Sequence, residues 1–189
     1  QAVFTHEDDP GETRWFGSVR DWAIEHRIPV HLPEDVNAPE WTAFIRHLAP
    51  EVFFSFYYRR MLSPALLSLS TRGAYNLHGS LLPAYRGRCP VNWVLINGET
   101  RTGVTLHHMI DRPDAGDIVA QREVDIELQD TALDLYQKLG RSAELLLRDV
   151  LPMIRKGIAP RHPQDLSKGR YYGGRRPEDD DLPRRQPRI

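Results

Sequence analysis

Two polar residues that can take part in proton transfer and hydrogen bonding, Asn76 and His78, lie two positions apart in the segment AYNLH. On a β-strand this spacing puts both side chains on one face, with Tyr75 and Leu77 on the other. An imidazole can exchange protons near neutral pH, and an amide can hydrogen-bond to developing negative charge. We expect both at the C-terminal end of the strand, where open α/β sheets place ligand crevices. Spacing alone leaves open a simpler alternative, in which backbone groups satisfy both side chains.

The segments that follow add two further features. Directly after His78, the sequence GSLLPAYRGR joins glycine, proline and arginine to a short apolar patch, which suits a rigid wall around a ligand. Further on, HHMIDRPDAGD places Asp114 in a tight turn between Pro113 and Gly116. A turn aspartate that satisfies its own backbone is the simpler interpretation of Asp114. In the functional interpretation, Asn76, His78 and Asp114 converge in one crevice.

A metal site and a nucleotide-binding loop are the competing interpretations. A metal-binding set could be drawn from three histidines and one carboxylate: His78, His107, His108 and Asp114. However, His107 and His108 are adjacent on a predicted strand and face opposite sides. The sequence has no HExxH, CxxC, GxGxxG or Walker spacing, so we predict no metal and find no support for a nicotinamide or nucleoside-triphosphate enzyme. Cys89 precedes a predicted helix, where a thiolate would be favoured, but a small apolar cap is its simpler role.

The elements that must position these residues alternate between strands and helices through about residue 100. Hydrophobic periodicity predicts strands at residues 2–5, 28–32, 52–58 and 74–78, and helices at residues 15–26, 39–48, 62–69 and 90–97. This alternation predicts an α/β fold with a doubly wound, mainly parallel sheet. The segment VFFSFYY is apolar on both faces, which predicts a central strand covered on both sides. The first helix should bury one face, formed by Trp15, Val19, Trp22 and Ala23.

Two more strands and one long helix follow. Strands at residues 103–110 and 117–126 are joined by DRPDAG and should extend or cover one edge of the sheet. The helix starts after Thr131, whose hydroxyl can cap it. Its apolar stripe comprises Leu135, Leu139, Ala143, Leu146 and Val150. Pro152 should bend or fray it before Gly157. From residue 158 onward the chain is rich in Pro, Arg and Asp without periodicity, which predicts a loop and tail.

Composition narrows the possible functions. The 189 residues are 40% apolar, which is enough for one sizeable core. A net charge of -1 argues against nonspecific nucleic-acid binding, which needs a surplus of Lys and Arg. One cysteine cannot form an intrachain disulfide and suits a reducing compartment. No apolar run approaches the ~20 residues that span a bilayer, and no signal peptide is visible, so we expect a cytoplasmic protein.

Residues 76–121 resemble the folate-dependent formyltransferases, which act on glycinamide ribonucleotide, methionyl-tRNA and sugar nucleotides. The family pattern is Asn-x-His, then SLLP, then an Asp in a D-[AG]-G turn, and all three occur here in that order. The stretch RGRCPVNWVLINGE is most similar to the branch that formylates UDP-4-amino-4-deoxy-L-arabinose in lipid A modification and polymyxin resistance. FTHEDDPGE, IPVHLPEDVN, FSFYYRRML and GGRRPEDD extend the likeness over most of residues 2–181.

The resemblance implies that 10-formyltetrahydrofolate is the co-substrate and that no metal is required. It makes His78 the general acid/base, Asn76 the stabiliser of the tetrahedral oxyanion, and Asp114 the carboxylate that raises the His78 pKa. The implied folate contacts fall on three segments: Arg60, Met61 and Leu62; Arg88; and Ile110, Asp111, Arg112, Pro113 and Asp114. Arg175 and Arg176 would bind the sugar-nucleotide diphosphate, because paired guanidinium groups match phosphate oxygens; a solvated basic tail is the alternative.

The resemblance also sets the expected domain limits. Residues 1–157 would form the catalytic domain, without the family's first strand and helix, which are expected before Gln1. Residues 158–189 would form a loop and tail that could contribute to the sugar-nucleotide site. Four functions stay open: a sugar-nucleotide N-formyltransferase, a methionyl-tRNA formyltransferase, a formyltetrahydrofolate hydrolase and a non-catalytic folate- or nucleotide-binding remnant. We expect small-molecule partners, formyl-folate and an amino-sugar nucleotide, because the balanced charge offers little basic surface for tRNA. The oligomeric state is open.

Overall fold

The fold is organised around a four-stranded sheet that carries the predicted site. The computed structural model describes residues 1–7, 17–176 and 178–179. Its helices are α1 (Val19–Glu25), α2 (Pro39–His47), α3 (Pro64–Leu67), α4 (Pro90–Ile96) and α5 (Ala132–Arg155). Its strands are β1 (Val3–Phe4), β2 (Val30–His31), β3 (Phe53–Phe56), β4 (Ala74–His78), β5 (Arg86–Gly87), β6 (Arg101–His108), β7 (Ile118–Asp125) and β8 (Tyr171–Tyr172). A 3-10 helix, Leu166–Lys168, precedes β8.

The strand order of the main sheet is β3-β4-β6-β7. Strands β3 and β4 are parallel, whereas β6 and β7 are added antiparallel beside β4, so the later strand pair extends the sheet as predicted. Two short parallel pairs, β1-β2 and β5-β8, lie outside this sheet. Three of the five described strand pairs are therefore parallel and two antiparallel. The predicted α/β fold class with mainly parallel pairing is confirmed.

Helices α4 and α5 cover one face of the main sheet and form the larger core with it. Tyr75, Leu77 and Leu106 point from the sheet into this core. The stripe predicted for α5 is buried along its whole length: Leu135, Leu139, Ala143, Leu146 and Val150. Each fully buried leucine contributes roughly 1.5–3 kcal/mol relative to an exposed one. Because strand side chains alternate, this packing leaves the opposite face of β4 and β6 for the polar residues.

Both ends of α5 are explained by local interactions. Thr131 and Asp134 form a reciprocal capping box, in which each side chain accepts a hydrogen bond from the other residue's backbone N–H. The helix continues through Pro152 to Arg155, so the fraying expected at this proline does not occur. Ile154 in the last turn is buried in the core, which offsets the hydrogen bond that Pro152 cannot donate.

The position of β3 differs from the prediction of a central strand covered on both sides, which was wrong. No described strand lies beyond β3, which is the edge of the main sheet. Its Phe54 and Phe56 are 37% and 48% exposed, and their rings stack on each other. The physical reason is that β1 and β2 pair with each other in a separate sheet and do not extend this one.

Helix α1 also differs from its prediction. It begins at Val19 after the N-cap Ser18, and Trp15 lies outside the described residues. Of the predicted buried face, Val19 and Trp22 are about half exposed and Ala23 is buried. The helix packs against β2, a strand of two residues that is too short to cover a full helical face.

The segment after α5 is more ordered than the predicted loop and tail. Strand β8 pairs in parallel with β5, which lies in the loop after β4. Tyr172 stacks on Tyr85 with ring centroids 4.9 Å apart, and Trp93 donates a 3.1 Å hydrogen bond from its indole nitrogen to the carbonyl of Gly173. The described part of this segment is therefore packed against the wall of the predicted crevice.

Candidate active site

Strand β4 presents Asn76 and His78 on the face opposite the core, as the two-residue spacing predicts. His78 is buried, with 6% of its surface exposed. The antiparallel neighbour β6 places His107 directly opposite Asn76, and Thr105 opposite His78. Directly opposed residues of an antiparallel pair have Cβ atoms about 4.5–5.5 Å apart. The pairing therefore brings a second histidine next to Asn76.

Asp114 reaches the same place from the turn between β6 and β7. Its backbone has a positive φ of 51°, a conformation that Asp adopts more readily than most residues. A Cβ at Gly116 would lie 1.9 Å from the carbonyl oxygen of His108, so glycine is required at that position. The β6-β7 register shifts next to His107, and such irregularities often redirect side chains beside active sites.

The Asp114 carboxylate is the centre of the site. Its Oδ1 lies 3.6 Å from Nδ1 of His78 and 3.4 Å from Nε2 of His107. Nδ2 of Asn76 is 3.5 Å from the same oxygen. The other oxygen, Oδ2, accepts a 2.8 Å hydrogen bond from the backbone N–H of Gly87. The structure thus brings Asn76, His78 and Asp114 together, and it anchors the carboxylate to the loop that follows β4.

His107 is the member of the cluster that sequence reasoning missed, since it was weighed only as a metal ligand. Its Nδ1 donates a 2.9 Å hydrogen bond to the carbonyl of His108. In the neutral ring, Nε2 is then an acceptor, and it lies 3.1 Å from the amide nitrogen of Asn76. His107 therefore fixes the orientation of the Asn76 amide. Alternation along β6 could have placed His107 on a polar face, but only the strand register places it opposite Asn76.

The Asn76 amide has two N–H groups and two neighbours for them. One N–H donates to His107 at 3.1 Å. The contact to Asp114, at 3.5 Å, is long for a hydrogen bond. This second N–H is therefore the one that can donate a hydrogen bond to a developing oxyanion.

The surroundings of the His78 imidazole favour its neutral form. Its Nε2 lies 2.7 Å from the carbonyl oxygen of Tyr85, which can only accept, so Nε2 carries the proton. The lone pair of the neutral ring is then on Nδ1, on the side of Asp114. Burial lowers the pKa of His78; Asp114 and the Tyr85 carbonyl raise it, and His107 lowers it, with a net direction below the ordinary value. Asp114 thus acts in the direction that the resemblance implied, while burial sets the net direction of the His78 pKa.

The Asp114 carboxylate is held in its ionised form. Burial raises its pKa, but His107 and His78, whose rings attract the carboxylate when protonated, and the N–H of Gly87 together lower the pKa below the ordinary value. An ionised carboxylate beside a neutral imidazole is suited to stabilise that imidazole once it takes up a proton.

The first predicted folate segment, residues 60–62, lies in the loop after β3. The C-terminal end of β3 adjoins that of β4. The segment comprises Arg60, Met61 and Leu62. Asn37 holds this loop, because its amide donates to the Met61 carbonyl at 2.9 Å and accepts from the N–H of Ser63 at 2.7 Å. The loop is therefore at the same edge of the sheet as His78. Its contact with folate stays a prediction.

The remaining predicted ligand contacts lie in two places. The exposed residues Ile110, Asp111 and Arg112, with half-buried Pro113, lead into the Asp114 turn. Arg88 follows Gly87, which bonds to Asp114, and its backbone N–H donates to the carbonyl of Tyr172 at 2.9 Å. A Cβ at Gly174 would lie 3.6 Å from the Arg88 guanidinium, so the exposed pair Arg175 and Arg176 begins beside Arg88.

No group of three or more His, Cys, Asp or Glu side chains in the described part of the chain is placed to hold a metal ion. A metal-free reaction nevertheless remains a prediction. None of the helices in residues 1–7, 17–176 and 178–179 has the length and apolar character that a membrane span needs.

Comparison with known proteins identifies the family. The family model described as formyl transferase matches residues 13–151, well over half of the 189-residue chain. The chain belongs to the formyl transferase family. As a formyltransferase domain, it is an enzyme of one-carbon group transfer. The matched region contains Asn76, His78, His107 and Asp114, whereas the segment that pairs with β5 lies beyond it.

Solved formyltransferase structures share this fold. The formyltransferase PseJ from Anoxybacillus kamchatkensis, in complex with UDP-4,6-dideoxy-4-formamido-L-AltNAc and tetrahydrofolate, is 26% identical with a TM-score of 0.68. The match covers 91% of this chain and 85% of PseJ. A sugar N-formyltransferase from a Shewanella species is 26% identical with a TM-score of 0.70, over 80% of this chain and 58% of its own.

A third relative supports the fold alone. The N-formyltransferase from Helicobacter canadensis, in complex with folinic acid and dTDP-3-aminofucose, is 24% identical with a TM-score of 0.71. The match covers 92% of this chain and 60% of that one. This formyltransferase domain therefore spans most of PseJ but only about three fifths of the other two structures.

Proposed function

We propose that this chain transfers a formyl group from 10-formyltetrahydrofolate to the amine of a sugar nucleotide. The observation that carries the proposal is the cluster around Asp114, whose carboxylate lies 3.6 Å from His78 and 3.5 Å from the amide of Asn76. Membership of the formyl transferase family supports the reaction class. The two ligands named for PseJ, a UDP-linked formamido sugar and tetrahydrofolate, support the two substrate classes.

Proton transfer is the role proposed for His78. The amine must lose a proton when its nitrogen attacks the formyl carbon, and neutral His78 can accept that proton at Nδ1, because Nε2 is already bonded to Tyr85. The imidazolium formed is stabilised by Asp114. The proton is then returned to N10 of the folate as the bond between N10 and the formyl carbon breaks. General acid–base catalysis of this kind is worth roughly 10²–10⁴-fold.

Charge stabilisation is the role proposed for Asn76. The attack converts the formyl oxygen to an oxyanion, and the second amide N–H of Asn76 can donate to it. His107 holds the amide in the orientation that this needs, through its 3.1 Å contact. A preorganised donor to an oxyanion is typically worth about 3–4 kcal/mol.

The amino sugar we propose is UDP-4-amino-4-deoxy-L-arabinose. The likeness of RGRCPVNWVLINGE and GGRRPEDD to the enzymes of that substrate supports it, as does the UDP sugar named for PseJ. Arg175 and Arg176, which begin beside Arg88, would hold the diphosphate, since guanidinium groups match phosphate oxygens. The segments 60–62 and 110–114, together with Arg88, would hold the folate.

The test is product analysis with the purified chain and 10-formyltetrahydrofolate. Four reactions are compared: UDP-4-amino-4-deoxy-L-arabinose, a dTDP-linked amino sugar, methionyl-tRNA, and buffer with no amine. We expect the formamido derivative of the UDP sugar by mass spectrometry, with an equal amount of tetrahydrofolate. Formate released without an amine would indicate a hydrolase, and formyl-methionyl-tRNA would indicate the tRNA enzyme. Folate binding by calorimetry with no turnover in any reaction would also contradict the proposal.

A further inference from the structure

The turn that carries Asp114 is held by a residue far along the chain, Gln164. The side-chain amide nitrogen of Gln164 donates a 2.6 Å hydrogen bond to the carbonyl of Gly116 and a 3.1 Å hydrogen bond to the carbonyl of Asp114. Both N–H groups of one amide are thus used on two carbonyls of the same turn. Gln164 lies beyond residues 13–151, and it was not among the residues predicted for the site.

Two other contacts join the same segments. Ile118 and His162 exchange a pair of backbone hydrogen bonds, at 2.8 and 2.9 Å. Arg161 and Asp117 form an ion pair at 3.3 Å whose side chains are 61% and 35% exposed. The backbone pair docks the segment, and an exposed ion pair adds little. Gln164 alone among these contacts reaches the carbonyl of Asp114 itself.

We propose that Gln164 is a positioning residue for the formyl-transfer site, acting through the turn that aims the Asp114 carboxylate at His78. This inference rests on the proposed function. The two hydrogen bonds of Gln164 go to backbone carbonyls and not to the side chains of His78 or Asp114. Its effect is therefore transmitted by the backbone of the Asp114 turn.

The physical basis is the unusual geometry of the turn. Asp114 has a positive φ, and Gly116 is pressed against the carbonyl of His108. Within the described residues the Oε1 of Gln164 is buried without a hydrogen-bond partner, so the amide is oriented by its two N–H groups. Without them, two partly enclosed carbonyls lose their donor, and the turn relaxes to satisfy them. A displacement of about 1 Å at a catalytic group can cost on the order of 10²-fold in rate.

Two substitutions remove the donors in different ways. Gln164→Leu keeps the approximate shape of the side chain but has no N–H group. Gln164→Glu replaces the amide nitrogen with an oxygen that faces the two carbonyls. For both we expect kcat for formyl transfer to fall by about ten- to a hundredfold, with folate KM changed by less than about threefold. Because Asp114 raises the pKa of His78, a displaced carboxylate in Gln164→Leu should also move the acidic limb of the kcat/KM profile to lower pH. The charge added in Gln164→Glu acts in the opposite direction, so the pH comparison is made with Gln164→Leu. The groups that face His78 are Asp114, His107 and the Tyr85 carbonyl, and Gln164→Leu leaves the chemical identity of all three unchanged.

Matched controls separate positioning from general damage. Gln137→Glu makes the same chemical change at an exposed position of α5, and Arg161→Ala removes the ion pair in the same segment. Both should keep kcat within about twofold, since exposed pairs contribute little. In an Asp114→Ala background, Gln164→Leu should cause no further loss of kcat, because its effect passes through Asp114.

The outcomes distinguish this inference from the proposed function. If the parent transfers no formyl group, the proposed function fails, but the pKa of His78 can still be measured by NMR titration of its imidazole in parent and variants. A lower His78 pKa in Gln164→Leu supports the inference in that case. Unchanged kcat and an unchanged His78 pKa in folded Gln164→Leu would overturn it, as would an equal further loss in the Asp114→Ala background. Should Gln164→Leu not fold, Gln164→Glu provides the comparison of kcat, and the shorter amide Gln164→Asn provides the comparison of both kcat and the His78 pKa.

Discussion

The expected reactivity of His78 depends on opposing effects on its pKa. Burial favours the neutral ring, while the nearby Asp114 carboxylate favours the protonated one. The hydrogen bond to Tyr85 occupies Nε2, so in the proposed reaction Nδ1 is the atom that acts as the base. A base of this kind is neutral before the reaction and is stabilised after it takes the proton, which is what amine deprotonation requires.

The first prediction concerns His78 itself. His78→Ala should lower kcat by about 10²–10⁴-fold and leave the folate Kd within a few-fold, because the lost group acts on a proton that moves in the transition state. Steady-state kinetics and calorimetry of folate binding measure the two quantities. His108→Asn is the control, since His108 is buried on the opposite face of the neighbouring strand. A His78→Ala variant that kept more than about a tenth of the parent kcat would contradict the mechanism.

The second prediction is the effect of Asp114 on pH dependence. Asp114→Asn keeps an acceptor for Gly87 but removes the charge that raises the pKa of His78. Activity needs neutral His78, so it is lost as pH falls through that pKa, and a lower pKa moves the acidic limb to lower pH. The maximal kcat should fall as well, because the imidazolium loses its counter-charge. A kcat/KM profile between about pH 5 and 9 measures both; a limb that stays or moves upward would exclude this role for Asp114.

Among the secondary-structure elements, the pairing of β5 with β8 supports the loop beside Asp114. Strand β5 lies in the loop that also supplies the Gly87 N–H to Asp114. Tyr172 in β8 packs on Tyr85 and Trp93, with ring centroids 4.9 and 5.3 Å apart. A segment predicted as tail thereby supports one side of the site.

The third prediction tests this support. Tyr172→Ala removes both ring contacts and should lower the free energy of unfolding by about 2–3 kcal/mol, at the lower end for large aromatic residues because Tyr172 is only half buried. Tyr171→Ala is the matched control, since the neighbouring Tyr171 is 57% exposed, and it should cost less than about 0.5 kcal/mol. Urea denaturation of the parent and both variants gives the comparison. Equal losses for the two tyrosines would show that β8 does not support the fold through these rings.

For the whole molecule, buried histidines link stability to pH. His78 and His108 both have a pKa lowered by burial from the ordinary value of 6.5. Upon unfolding at lower pH they take up protons that the folded state does not bind, so stability falls as pH falls below about 6.5. Asp114, whose pKa is lowered, adds stability that is present above its ordinary 3.8 and is lost as pH falls further below that value.

The fourth prediction follows from this loss of stability at lower pH. The Tm should decrease on acidification from about pH 7 to pH 5, before most carboxylates are protonated. His108→Gln should reduce the slope of Tm against pH in that window, whatever its effect on the Tm at pH 7. His26→Gln is the control, because His26 is exposed. A Tm that is flat between pH 7 and pH 5, or an unchanged slope in His108→Gln, would show that buried histidines do not govern the acid sensitivity.

Local patterns in the sequence determined those features whose cause is local. The period of a strand puts Asn76 and His78 on one face, the period of a helix sets the buried stripe of α5, and Thr131 with Asp134 forms its cap. The motif resemblance indicated the formyltransferase family before any contact was known. Each of these depends on residues that are neighbours along the chain.

Only the tertiary structure decided the contacts between distant segments. The register of β6 against β4 brings His107 to Asn76 across 31 positions, and Gln164 reaches the carbonyl of Asp114 across 50. The exposure of β3 likewise depends on which strands pair beside it, and a run of apolar residues does not specify its partner. The net lowering of the His78 pKa also depends on the tertiary structure, because the sequence shows the nearby carboxylate but not the depth of burial that outweighs it.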